Sequence, residues 1–517
     1  RSSAASVWFK DQALPVANRG MITVSVMLAT IMQVLDTTIA NVALPNMQGN
    51  LSATQDSIAW VLTSYIVAAA IMTPATGWLS DRFGRRNFFL LATAGFTFAS
   101  VLCGIATSLP EMVAFRILQG VFGASLVPLS QAVLLDINPR ERHGQAMAMW
   151  GAGIMVAPII GPTLGGWLTD ALGWRWVFYI NLPVGILAFL GLLTFLPSGT
   201  ARTRRFDIFG FLALSIAIGA LQMMLDRGEQ LDWFGSPEIW IELAIFASAL
   251  WIFGVHMVTA SEPFLDPAMF KDLNFVVGIL FIFIVDIVLL ATMALLPPML
   301  QKIMGYPTVT SGLLMAPRGV GTMISMLVVG RLVSKVDPRL LIFAGLSLTA
   351  ASLYQMTGFS TEMDRWPVVW SGVVQGLGLG LVFVPLSALA FATLQPGLRT
   401  EATSLFSLMR NIGSSIGISI VISMLSRNTQ IIRSGMVEQV TPGRGAVETV
   451  VPHLFSPGQE QLLGRISAEI SRQASMIAYL NDFYFMMFVV LAAMPLLLIM
   501  RSPRRSAQIA AQAPAME

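Results

Sequence analysis

Apolar residues run from Ile22 to Leu44 with few interruptions, and comparable runs recur to the end of the chain. At 1.5 Å per residue such a run crosses a hydrocarbon core of roughly 30 Å as one helix. Runs of spanning length, bounded by charge or by Gly, Pro and Asn, predict fourteen helices. They start near residues 22, 57, 87, 111, 144, 175, 207, 239, 275, 309, 339, 367, 402 and 476. A membrane barrel would show short alternating segments instead, so the predicted class is an all-α polytopic membrane protein. Composition agrees: 55% of the 517 residues are hydrophobic and 11% are charged, against about 25% charged in soluble domains. The first 21 residues carry Lys10 and Arg19 without a short apolar core and cleavage site, so no signal peptide is expected there.

Charge then orients the spans. With the N-terminus cytoplasmic, the inside loops hold thirteen Lys and Arg residues (Arg82, Arg85, Arg86, Arg140, Arg142, Arg202, Arg204, Arg205, Lys271, Arg331, Lys335, Arg339 and Arg399). The outside loops hold only Arg175, Arg227, Lys302 and Arg365. Short loops rich in Lys and Arg stay inside, so both termini are expected to be cytoplasmic. The net charge of +3 reflects this placement and implies no nucleic-acid partner. Residues 426–475 form the long outer loop. In it "VTPGRGAVETVVPHLFSPG" is turn-rich and "QEQLLGRISAEISRQAS" has helical apolar spacing that suits a surface helix. Either a solvated connector or a docking surface for an extracytoplasmic partner fits.

Two segments repeat. "GWLSDRFGRR" (77–86) is echoed by "GRLVSKVDPR" (330–339), and "LQGVFGASLVPLS" (118–130) by "VQGLGLGLVFVPLS" (374–387), at offsets of 253 and 256 residues. Two echoes at nearly one offset imply duplicated six-helix halves with helices 7 and 8 between them, a 6+2+6 arrangement. The expected parts are a tail (1–21), an N-terminal bundle (22–196), a two-helix insertion (197–258), a C-terminal bundle (259–500) and a second tail (501–517).

Charges inside the spans carry the chemistry. Asp36, in "LDTTIANVALP", would cost roughly 2.5 to 3.5 kcal/mol in lipid on insertion scales, so it must face a partner or a wet cavity. It lies roughly 21 Å up its helix, and Arg116 lies roughly 8 Å below the outer end of the oppositely directed helix 4. Their depths allow an interaction, either direct or through a water or the Thr37 and Thr38 hydroxyls. Burial and a neighbouring arginine act on a carboxyl in opposite senses, so hydration changes during rocking can load and unload a proton. A static pair that only fixes helix packing is the alternative.

Asp286, in "FIVDIVLL", and Arg318, in "APRGVG", have compatible depths of roughly 16 Å and 13 Å from opposite faces. They are expected to neutralise one another beside the central cavity, as an additional protonation site or as a substrate-selecting charge. Arg410, in "LMRNIGSSIG", either faces the cavity or snorkels to the inner surface.

Three segments carry a family resemblance. "GWLSDRFGRR" resembles the loop motif of the major facilitator superfamily, "FRILQGVFGAS" (115–125) its helix-4 motif, and "GIMVAPIIGPTLGGWL" (153–168) its helix-5 antiporter motif. "LDTTIANVALP", "WRWVFYINLPVG" (174–185), "LQMMLDRGEQLDWF" (221–234) and "LMRNIGSSIG" (408–417) resemble the fourteen-helix EmrB-type multidrug exporters.

The resemblance implies proton-coupled antiport of hydrophobic or amphipathic drugs across a bacterial inner membrane, with protons as coupling ion and no other cofactor. An exporter dedicated to one amphiphilic metabolite or fatty acid is the alternative; a symporter or a non-transporting sensor ranks lower. It also implies a periplasmic membrane-fusion adaptor and an outer-membrane channel as partners. Asp81 is implied as a cytoplasmic gate near the positive N-terminal end of helix 13, with Gly77 and Arg86 in the same motif. Arg85 or Arg82 is implied as the partner of Asp136. Since Ser334 replaces Asp81 in the echo, the second gate should be weaker. The glycines and prolines of the helix-5 motif (Gly153, Pro158, Gly161, Pro162, Gly165 and Gly166) suit a bent, tightly packed seam.

Other chemistries lack their residues. None of the four lysines stands in the GxxxxGK[ST] of an ATP-driven pump, and His143, His256 and His453 form no HExxH. "QGLGLG" imitates a dinucleotide loop but lies in an apolar span, and reads as helix packing. With a single cysteine, Cys103, no internal disulfide or thiolate metal site forms. No catalytic or metal site is expected.

Overall fold

The computed structural model describes residues 18–198, 205–440 and 460–500. Fourteen helices in them are long and apolar enough to cross a membrane. They are α1 (Arg19–Asn50), α2 (Trp60–Phe83), α3 (Arg85–Ile105), α4 (Leu109–Ile137), α5 (His143–Ala171), α6 (Trp176–Phe195), α7 (Ile208–Arg227) and α8 (Pro237–Thr259). The remaining six are α9 (Leu273–Ile303), α10 (Val309–Leu332), α11 (Pro338–Met356), α12 (Trp366–Ala392), α13 (Arg399–Gln439) and α14 (Glu460–Leu498). The starts agree with the apolar pattern within a few residues except at α14.

That exception corrects the outer loop. α13 runs for 41 residues, about 61 Å at 1.5 Å per residue and twice the hydrocarbon thickness. "QEQLLGRISAEISRQAS" is helical from Glu460 onward but continuous with α14 rather than a separate surface helix. Residues 426–439 and 460–475 therefore extend α13 and α14; of "VTPGRGAVETVVPHLFSPG", all but Val440 lies outside the described residues. Apolar length fixes where a span must exist, but a polar amphipathic segment can prolong the same helix into water.

Prolines bend the spans where their missing N–H opens the ladder. α2 passes through a 3₁₀ turn at Thr73–Ala75, α5 breaks at Met155 ahead of Pro158 and Pro162, and α9 ends in a π-helical turn, Met299–Ile303, after Pro297 and Pro298. α7 and α8 pack as a pair, and α7 touches both α2 and α13. The Thr63 hydroxyl of α2 donates to Asp226, Gln222 donates to Ser415 of α13 at 2.9 Å, and the Ser419 hydroxyl donates to the Leu225 carbonyl at 2.6 Å. Helix 7 thus bridges the two regions by polar bonds.

The sequence echoes have a packing counterpart. A Cβ on Gly120 would meet the Tyr65 carbonyl oxygen at 2.5 Å, and one on Gly376 would meet the Arg318 carbonyl oxygen at 2.1 Å. The two offsets read from the echoes map Gly120 to Gly376 and Tyr65 to Arg318, so the same glycine contact recurs in both regions. In "QGLGLG", Gly376, Gly378 and Gly380 lie against Arg318, Thr349 and Ser325, as helix packing requires.

Candidate functional site

Asp36 and Arg116 form a direct ion pair, Nη1 to Oδ2 at 2.7 Å, with both side chains fully buried. Two amides complete the carboxylate's shell. Gln119 Nε2 donates to Oδ1 at 2.9 Å and Asn181 Nδ2 donates to the same oxygen at 2.7 Å. Arg116 also donates through Nε to the Val61 carbonyl at 2.9 Å and through Nη1 to Gln119 Oε1 at 2.7 Å. Its guanidinium lies over the rings of Tyr65 and Phe178 at 4.4 and 5.7 Å, an attraction that grows where water is excluded.

Four helices build this centre. Arg116 and Gln119 sit one turn apart on α4 and face the same side, Asp36 comes from α1, Tyr65 from α2 and Asn181 from the sharp start of α6. The Asn181 amide also donates to Ser100 of α3 at 2.9 Å. The Thr37 and Thr38 hydroxyls donate back to the Val34 carbonyl, at 2.9 and 2.8 Å, so neither bridges the pair. Gln119, Asn181 and Tyr65 were not picked out from the sequence. Gln119 lies one turn after Arg116 in the helix-4 motif, and that i, i+3 spacing was the available signal.

Asp286 and Arg318 are not paired, contrary to the depth argument. Arg318 Nη2 donates to the Leu289 carbonyl at 3.2 Å, and its Nη1 has no partner. Among the described residues Asp286 makes no ion pair; the charge acting on it is Arg410, on α13. Helices α9 and α10 follow one another in sequence but pack elsewhere: α9 lies on α13, where Gly413 and Gly417 admit the backbone of Phe283 and Ile287, while α10 lies on α12 and α5. Equal depth does not make neighbours. Arg410 is half-buried.

At the end of the molecule carrying residues 77–86, the two regions are latched. Asp136, ending α4, accepts from Arg85 of α3 and from Arg399 Nη1, at the start of α13, at 2.9 Å. Arg85 also donates to the Thr400 hydroxyl at 2.9 Å, and the Thr403 hydroxyl to the Pro128 carbonyl at 3.1 Å. Gly77 is needed because a Cβ there would come within 3.1 Å of Glu401 Cα, which brings the last turn of α2, with Asp81, against the first turns of α13. Arg85 is therefore the Asp136 partner; Arg82 is exposed, and Arg86 donates to the Leu193 carbonyl of α6. Arg399, Thr400 and Glu401 were not foreseen, because a loop charge gives no hint of which loop it crosses to. In the echo, Val333 packs against Gly144, Gly330 against Ala148, and the Ser334 hydroxyl turns to its own Arg331 carbonyl at 3.4 Å.

The helix-5 glycines mostly serve close packing. Gly153 admits Met27, Gly161 admits Thr38 and Gly165 admits Ile39, all on α1. Pro162 lies 3.9 Å from the Cβ position of Gly312, and Ile159 packs on Gly319, so the bend also meets α10. Gly166 is the exception, since nothing lies within 4 Å of a Cβ placed there.

Fourteen apolar spans with a charge pair buried among four of them define a polytopic membrane protein. The sequence profile described as "Major Facilitator Superfamily" matches residues 26–418, and the chain belongs to that family. It is 37% identical to the fatty acid resistance protein FarB of Neisseria gonorrhoeae over 94% of this chain and 96% of FarB. It is 36% identical to the multidrug export protein EmrB of Escherichia coli K12 over 92% of this chain and 94% of EmrB. Among solved structures, the proton:xylose symporter XylE aligns with a TM-score of 0.58 at 16% identity, covering 90% of this chain and 96% of XylE. The human organic anion transporter MFSD10 aligns at 0.58 and 14% identity, covering 92% and 100%.

Proposed function

We propose that this protein is a proton-coupled antiporter that exports hydrophobic or amphipathic toxic compounds by alternating access. Its relatives of nearly equal length are a multidrug export protein and a fatty acid resistance protein, and family membership supports an efflux transporter. The observation that carries the coupling mechanism is the fully buried Asp36, held at once by Arg116, Gln119 and Asn181. The three donors stabilise a carboxylate that burial alone would disfavour. Rocking of one bundle against the other separates α1 from α4 or admits water, changes that balance and moves a proton. Opening also requires the Asp136 latch to release, which couples access at one end to the charge pair. An acyl-chain amphiphile is the second reading for the cargo, favoured by the similarity to FarB.

The arrangement goes with this reading. The bundles at 22–196 and 259–500 are the moving halves, the 197–258 pair is an insertion, and the thirteen-to-four distribution of Lys and Arg supports an inner-membrane protein with cytoplasmic termini. The resemblance to EmrB-type exporters supports work with a periplasmic adaptor and an outer-membrane channel, and the outer extensions of α13 and α14 supply surface for such contact. The test is growth of an efflux-deficient host on a panel of amphiphiles, fatty acids included, with parent and Asp36→Asn proteins expressed equally. The parent should protect and the variant should not. Equal protection by both would remove Asp36 from the coupling role.

A further inference from the structure

The C-terminal region holds a second carboxyl that the mechanism above does not use. Asp482, on α14, is fully buried, and neither of its oxygens has a hydrogen-bond partner. Its helix packs on α9, α11 and α13, beside a polar cluster at the place that mirrors the Asp36 centre. The offset of 256 maps Gln119 to Gln375, and as Gln119 Nε2 donates to Asp36, Gln375 Nε2 donates to the Thr292 hydroxyl of α9 at 3.3 Å. Thr292 therefore stands where Asp36 does. The Thr292 hydroxyl also lies 3.6 Å from Met486 Sδ, and Asp482 is one turn away on the same face of α14.

The arginine has moved as well. The offset maps Arg116 to Gly372, where a Cβ would lie 3.5 Å from Arg318 Cβ, so Arg318, at the position of Tyr65, starts beside the place that Arg116 leaves. An arginine and an amide thus recur beside Thr292 on rearranged helices, while Asp482 lies one turn from Met486 on α14. Each is left partly unsatisfied: Arg318 Nη1, Gln375 Oε1 and both Asp482 oxygens have no partner. Among the described residues no charged group on α9, α11 or α13, the helices packed on α14, makes an ion pair with Asp482, and Tyr479 lies one turn before it on its own helix.

An ionised carboxyl buried without any donor is far costlier than a neutral acid, whose O–H needs a single acceptor. We propose that Asp482 is a second proton-binding carboxyl, protonated in this conformation and unloaded when the seam between α14 and the helices packed on it, α9, α11 and α13, opens to water. Its part in coupling rests on the antiport reading above, but its proton does not.

Infrared difference spectra of the purified full-length protein, in water and in deuterium oxide, test the site directly. A protonated-carboxyl stretch sensitive to deuteration should be present in the parent, lost in Asp482→Asn and displaced in Asp482→Glu. The glutamate variant keeps an acid at that position, so a folding defect in the asparagine variant leaves the question decidable. An identical band in the parent and both variants overturns the proposal. The coupling role is read from the proton-to-dodecanoate ratio in proteoliposomes, with dodecanoate as probe. The ratio should fall in Asp482→Asn, and an unchanged ratio overturns that role. A parent that moves dodecanoate without protons would instead sink the antiport reading, while the infrared result still decides the proton site.

Discussion

Two regions of the molecule place polar side chains at positions related by the echo offset but complete them differently. In the first, every oxygen of Asp36 is hydrogen-bonded and Arg116 lies against two aromatic rings. In the second, a threonine replaces the carboxylate, a methionine lies beside it, and Arg318 and Asp482 are left short of partners. The glycine contacts at Gly120 and Gly376 are alike in the two regions, while the charged side chains stand on different helices. A satisfied pair holds one conformation; an unsatisfied cluster gains by being hydrated in another.

The largest expected effect breaks the satisfied centre. Arg116→Ala leaves the Asp36 carboxylate buried with only amide donors and should cost about 3 to 5 kcal/mol, seen as poor membrane yield or a large drop in the thermal midpoint of the purified protein. Arg318→Ala should cost much less, because it removes an unpaired cation that makes one carbonyl bond. Equal losses would erase the distinction between the halves.

Glycine contacts come next. Gly376→Ala and Gly120→Ala each force a methyl into a carbonyl of the neighbouring helix and should cost about 1 to 3 kcal/mol, with Gly376, the closer at 2.1 Å, the more sensitive. Gly166→Ala, with open space around it, should leave the thermal midpoint unchanged or raised.

Smaller still is the amide comparison. Gln119 bonds both to Asp36 and to Arg116, whereas Gln375 makes a single 3.3 Å bond. Gln119→Ala should therefore cost about 1 to 3 kcal/mol and Gln375→Ala about 0.5 to 1.5 kcal/mol, a ranking readable by thermal unfolding in one detergent. Asp136→Asn sharpens a different contrast, since it weakens the latch of two arginines at one end while the apolar Val333 contact remains. It should raise labelling of a cysteine introduced near Thr403, and labelling equal to that of the parent would count against a gating latch.

Much of this was readable from the residues because a membrane reduces folding to depth and neighbourhood. Apolar length gave the fourteen spans, and depth paired Asp36 with Arg116. The same arithmetic failed for Asp286 and Arg318, since one sequence reports height along a helix but not which helices touch. Asp482, in "YLNDFYF", is not singled out by the sequence for a related reason, since one sequence does not say which helices cover it. Only the longer helix and its packing bury it. The Asp136 partner Arg399 was hidden because it arrives from a loop more than 250 residues away.

The central claim, that Asp36 carries the coupling proton, is tested most directly by proton flux in proteoliposomes of the purified protein. A pH-sensitive dye inside the vesicles should report proton movement when an outward gradient of an exported amphiphile is imposed on the parent. Asp36→Asn should abolish that movement while still binding the amphiphile. Undiminished proton movement in the variant would contradict the account.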